Sequence, residues 1–132
     1  MTTKVFCRFT SEKLHHYPDA INARTTGLET QNTKDLGIVE SVEFLKYPHR
    51  HLFYFRVDVD VENDNREIEF ILMKRQLSAV VESWSYDLGA MSCEMIAHKL
   101  FQEMETLGYT GWVSIEVSED NENGAIITEF ID

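Results

Sequence analysis

From His49 to Val61 the chain alternates with period two. His49, His51, Phe53, Phe55, Val57, Val59 and Val61 fall on one side, and Tyr54, Arg56, Asp58 and Asp60 on the other. Side chains i and i+2 of a strand share a face, so this pattern predicts a long strand with one apolar and one solvated side. The same periodicity places two imidazoles side by side at the mouth of the apolar face. The acids on the other side read as an ordinary wet strand face.

Shorter patterns supply the remaining elements. Lys4 to Glu12 reads as a first strand, followed by a loop that begins near Leu14-His15-His16. Ile21 to Asp35 is polar, aperiodic and rich in Thr and Asn, which predicts a mobile surface loop. Val39 to Leu45 reads as a short strand, Glu62-Asn63-Asp64-Asn65 as a turn, and Arg66 to Phe70 as a short return strand. Ile71 to about Trp84 is helical, with Leu72, Gln76, Leu77, Val80, Val81 and Trp84 at helical spacing. After a loop over residues 85–90, Ser92 is an N-cap and Glu94 lies in the first turn of a second helix. Ile96, Leu100, Met104 and Leu107 form that helix's apolar stripe, and Gly108 ends it. Trp112 to Ser118 and Ala125 to Phe130 alternate as strands. The intervening Glu119-Asp120-Asn121-Glu122-Asn123-Gly124 has a calcium-loop flavour, but it lacks flanking helices and carries Phe130 at the twelfth position, so a hairpin turn is expected. The order strand, strand, helix, helix, strand, strand predicts one α+β domain over residues 1–132, an antiparallel four-stranded sheet with two helices on one face. Its two open edges favour oligomerisation.

Composition narrows the function classes. The 132 residues are 43% hydrophobic and 27% charged, as expected of a globular chain. Twelve basic against 23 acidic residues give a net charge of −11, and Lys74-Arg75 is the only adjacent basic pair, which argues against nucleic-acid binding. Neither a membrane span nor the apolar core of a signal peptide is present, so a cytoplasmic address is the expectation. Cys7 and Cys93 make no disulfide framework, and Cys93 at a helix start is a candidate for a lowered thiol pKa.

Three motifs, taken in order, resemble the tunnelling-fold proteins of the pyruvoyl- and carboxy-tetrahydropterin synthase type. Phe9-Thr10-Ser11-Glu12-Lys13-Leu14-His15 is similar to the family's first strand, which ends in a zinc-binding histidine. His49-Arg50-His51-Leu52-Phe53 resembles the segment that supplies the other two ligands. Ser92-Cys93-Glu94-Met95-Ile96-Ala97, followed by Val113 to Glu119, is similar to the family's second helix and the strand after it. The resemblance implies Zn2+ at His15, His49 and His51, with an open fourth position, and Glu119 anchoring the amino-pyrimidinone edge of a pterin- or purine-like ligand. Alternative alignments put His16 or Lys13 in the place of His15. The resemblance also implies a homo-oligomer, a trimer or hexamer closing into a barrel, with sites between subunits.

The departures are chemical. Ser41 to Pro48 offers no cysteine and Ser83 to Leu88 no histidine, so the family's thiol and Asp-His proton relay lack their residues. Asp87, Glu69 and Cys93 are the candidate replacements. Arg50, in place of a glycine, adds a cation able to grip a phosphate or carboxylate. Three readings follow: a zinc-dependent lyase acting on a pterin or deazapurine precursor such as dihydroneopterin triphosphate, a catalytically degenerate protein that binds such a ligand, and a metal-free oligomer.

Overall fold

The alternating His49 segment is the second strand of an antiparallel sheet. The computed structural model describes residues 2–23 and 42–132. Strands β1 (Thr3–His15), β2 (His49–Val61), β3 (Gly111–Glu119) and β4 (Asn123–Ile131) lie side by side in that order. Helices α1 (Phe70–Ser83) and α2 (Cys93–Leu107) come between β2 and β3 in the chain. The fold is α+β, with one open four-stranded sheet and two helices.

Both helices cover the face that carries Cys7, Phe9, Phe55, Val57, Val59, Val113, Ile115 and Val117. The α1 side of this core is Met73, Leu77 and Val81, one residue every four. Leu72, expected in that stripe, is exposed, because the i, i+4 register that meets the sheet starts at Met73. In α2, Ile96, Ala97, Leu100 and Met104 are fully enclosed. Enclosing Ile96, Leu100 or Met104 stabilises the fold by about 1.5–3 kcal/mol each. Ser92 accepts from the Met95 amide as N-cap, and Gly108, at φ 94°, ends α2 in the left-handed region.

Several expectations need correction. β1 runs three residues past Glu12, to His15, because β2 pairs with it along its full length up to His15 opposite His49. Glu43–Lys46 is a 3-10 turn rather than the end of a strand; residues 39–41 of that predicted strand lie outside the described residues. Most of the predicted loop from Ile21 to Asp35 also lies outside them, and its first residues belong to a 3-10 turn, Ala20–Asn22. No return strand forms before α1. Arg66 is left-handed at φ 61°, and Glu67 turns its carboxylate back onto the amides of Glu62 and Asn63, which holds the segment as a turn. Glu69 is then consumed as the N-cap of α1, accepting from Ile71.

The loop between the helices covers part of the β1 edge. Leu14 donates to the Tyr86 carbonyl, Leu88 to the Leu14 carbonyl, and His16 to the Gly89 carbonyl, all within 2.8–2.9 Å. The β3–β4 connection is the expected hairpin: Asp120 (φ 52°) and Asn121 (φ 61°) take the two left-handed positions that match strand twist. A Cβ at Gly124 would lie 2.0 Å from the Val117 carbonyl oxygen, so only glycine fits at that crossing. Among the described residues no helix is long and apolar enough to cross a membrane.

Candidate metal centre

Sheet register alone brings the histidines together. His15 ends β1 directly opposite His49, the first residue of β2, and His51 follows two positions later on the same face. Phe53, next on that face, pairs with Glu119, the last residue of β3. One ring nitrogen from each of His15, His49 and His51 lies within 4.8 Å of the others, close enough for one ion to gather all three. The rings meet edge to face, with centroids 4.6–5.3 Å apart.

Each ring is aimed by its own Nδ1. That of His15 lies 2.9 Å from the Met91 carbonyl, that of His49 2.9 Å from the Tyr47 carbonyl, and that of His51 2.7 Å from Asp120 Oδ2. A carbonyl or carboxylate only accepts, so all three Nδ1 atoms are donors and Nε2 is the atom left to face inward. This is the tautomer that metal-bound imidazoles adopt, with the outer nitrogen fixed by a second partner. The Nε2 atoms of His15 and His51 are buried without a hydrogen-bond partner.

Glu119 completes the cluster. Its Oε1 lies 3.1 Å from His15 Nε2 and its Oε2 3.3 Å from His51 Nε2. With both rings neutral, lone pairs would face lone pairs, an arrangement that only a cation between them makes favourable. Burial pushes His15 down, but the adjacent Glu119 and the Met91 carbonyl outweigh it and raise the ring above its ordinary value. The same contact with His15 holds Glu119 low against the effect of burial, with help from the other histidines. His51, through its hydrogen bond, likewise holds Asp120 low.

The remaining expected residues divide clearly. His15, not His16, points into the cluster; His16 lies on a cavity wall beside it. Lys13 is 3% exposed, and its Nζ donates to the Trp84 carbonyl at the end of α1, 3.1 Å away. It is a helix-capping cation and stands apart from the cluster. Arg50 projects from the opposite face of β2, 3.7 Å from Glu12. Asp87 caps its own loop, accepting from the Gly89 amide at 2.8 Å. Cys93 reverses the expectation for a helix-start thiol. Burial, then the nearby Glu119 and Glu94, push it up to about 12, and its Sγ sits 3.9 Å from Glu119 Oε1. Sequence reasoning missed Asp120, whose only signal was its place directly after Glu119 in the hairpin.

Beside the cluster opens a cavity of about 720 Å3. Tyr17, Leu45, Met91 and Met95 supply apolar wall; His15, His49, Glu119 and Cys93 form its polar end. A larger hollow of about 1190 Å3 at the far end of the sheet is lined by Asp60, Glu62, Asp64, Glu67 and Glu69, and none of the histidines reaches it. No protein-family model and no curated protein sequence matches the chain.

Proposed function

We propose that this chain is a metal-dependent small-molecule protein of the tetrahydropterin-synthase type, with zinc at His15, His49 and His51 and a pterin- or deazapurine-like ring in the adjoining cavity. The observation that carries the reading is the shared hydrogen bonding of three neighbouring rings: every Nδ1 is committed to a carbonyl or carboxylate, which leaves Nε2 as the free donor atom of each. Imidazole sets of this kind suit zinc, which when bound supplies Lewis acidity to a ligand oxygen.

The cavity wall narrows the ligand. Among the described residues it carries Asp19, Glu94 and Glu119 and no lysine or arginine. Those carboxylates suit a ring rich in hydrogen-bond donors.

Binding without turnover is the second reading, and Cys93 favours it. A thiol pushed up to about 12 stays protonated near neutrality and is a poor base or nucleophile. Asp87 and Arg50 face away from the cavity, so neither supplies the missing relay. Assembly into a trimer or hexamer belongs to the same proposal. Its support is the exposed β4 edge and the half-exposed Phe6, Trp112 and Phe130 on the uncovered sheet face.

The test is metal analysis of the purified protein together with mass spectrometry of any co-purifying small molecule, followed by incubation with neopterin and with dihydroneopterin triphosphate. Saturable binding without product supports the binding protein, and product formation supports the lyase. Absence of stoichiometric metal, with His49→Ala leaving ligand binding and stability unchanged, refutes both.

A further inference from the structure

We propose that Glu119 is itself a metal ligand, making the centre a three-histidine, one-carboxylate site instead of three histidines with a free fourth position. The inference rests on the metal reading above and changes the role of one residue within it.

Spacing is the first argument. Donor atoms about 2.0–2.1 Å from one tetrahedral ion lie roughly 3.3 Å from each other. Glu119 Oε1 to His15 Nε2, at 3.1 Å, and Glu119 Oε2 to His51 Nε2, at 3.3 Å, already have that separation. The three ring nitrogens lie within 4.8 Å of one another. The carboxylate thus already stands at donor spacing from two of the three rings, His15 and His51.

The backbone fixes it there. Glu119 is paired with Phe53 at the last rung of the β2–β3 ladder, one inward-facing position from His51. The next residue clamps the strand end: the Asp120 amide donates to the Leu52 carbonyl at 2.8 Å, while Asp120 Oδ1 accepts from the Leu52 amide at 3.1 Å. One hairpin corner therefore delivers a carboxylate to the ion through Glu119 and a carboxylate to the back of His51 through Asp120.

Charge is the third argument. A divalent ion held by three neutral imidazoles leaves two uncompensated positive charges beside the enclosed Phe53 and the buried His15. Glu119 removes one of them directly, and Asp120 offsets the other through His51. A role as ring anchor requires both Glu119 oxygens to be free for two N–H donors, and both are turned toward histidines. With four protein donors in place, an incoming ligand oxygen would enter as a fifth, an expansion that zinc tolerates.

Cobalt(II) distinguishes the two roles, because its d–d bands report the donors bound to it. Apo protein is titrated with Co(II) as wild type, Glu119→Gln and Glu119→Ala, with circular dichroism confirming that each variant is folded. The expected result is a loss of Co(II) affinity of at least about tenfold together with displaced bands in both variants. Bands at the wild-type positions in the variants, whatever the affinity, overturn the inference and leave the three-histidine centre standing. Failure of the wild type itself to take up Co(II) overturns this inference and the metal reading together.

Discussion

His51 Nδ1 and Asp120 Oδ2 are 2.7 Å apart, which joins a candidate metal ligand on β2 to the corner of the β3–β4 hairpin. A carboxylate behind a ligating imidazole fixes its tautomer and raises its basicity, and losing such a partner costs about 10–100-fold in metal affinity. Asp120→Asn should weaken metal binding within that range while keeping the ligand atoms, as measured by competition against a chromogenic chelator. Unchanged affinity would mean that His51 is not coordinating.

Lys13 separates the structural from the functional part of this end of the sheet. Its buried ammonium satisfies the Trp84 carbonyl, which the helix itself leaves unbonded. Lys13→Met should destabilise the protein by about 1–3 kcal/mol in urea unfolding by orphaning that carbonyl, with metal stoichiometry retained. Loss of metal from a folded variant would place Lys13 in the ligand set after all.

The shifted groups in the cluster fix a pH window for the metal-free protein. His15 is raised above its ordinary 6.5, with Glu119 and the Met91 carbonyl outweighing burial, so its stabilising contribution is complete below 6.5 and fades as pH climbs through the raised value. Glu119 is lowered below its ordinary 4.5 by His15 against burial, so its contribution is complete above 4.5 and fades as pH falls through the lowered value. Melting of chelator-treated protein should therefore show this pair's stabilisation between pH 4.5 and 6.5. Glu119→Gln should flatten the profile on both sides. Metal uptake should strengthen toward higher pH instead, because ions and protons compete for the same nitrogens.

Cys93 should be chemically quiet. Burial and the neighbouring carboxylates push its thiol to about 12, and burial pushes Cys7 to about 11, so thiolate is scarce at pH 8 in both. Folded protein should react with iodoacetamide far more slowly than protein unfolded in urea. Fast labelling of Cys93 in the native state would restore it as a candidate nucleophile.

How much of this was legible in the chain depended on whether a local pattern determined it. The inward face from His49 to Val61 and the cap pair Ser92 and Gly108 were readable because strand alternation and helix capping are local. The extension of β1 to His15 was not, because it depends on pairing with a strand 34 residues away, from His15 to His49. Arg66 to Phe70 looked like a strand by composition, yet Glu67 and Glu69 spend their carboxylates on backbone amides, a choice made by turn and cap geometry. The Cys93 expectation failed because the helix dipole is local information, whereas Glu119 arrives from another strand. Choosing His15 over His16 likewise needed the register, since adjacent residues of a strand face opposite ways.

Whether His15, His49 and His51 hold a metal is read from the metal content of protein purified without chelators, by inductively coupled plasma mass spectrometry, for wild type and His49→Ala side by side. Wild type should carry about one divalent ion per chain, zinc foremost, and the variant should lose most of it. A folded wild type that carries no metal and acquires none when incubated with Zn2+ or Co2+ would contradict the metal reading.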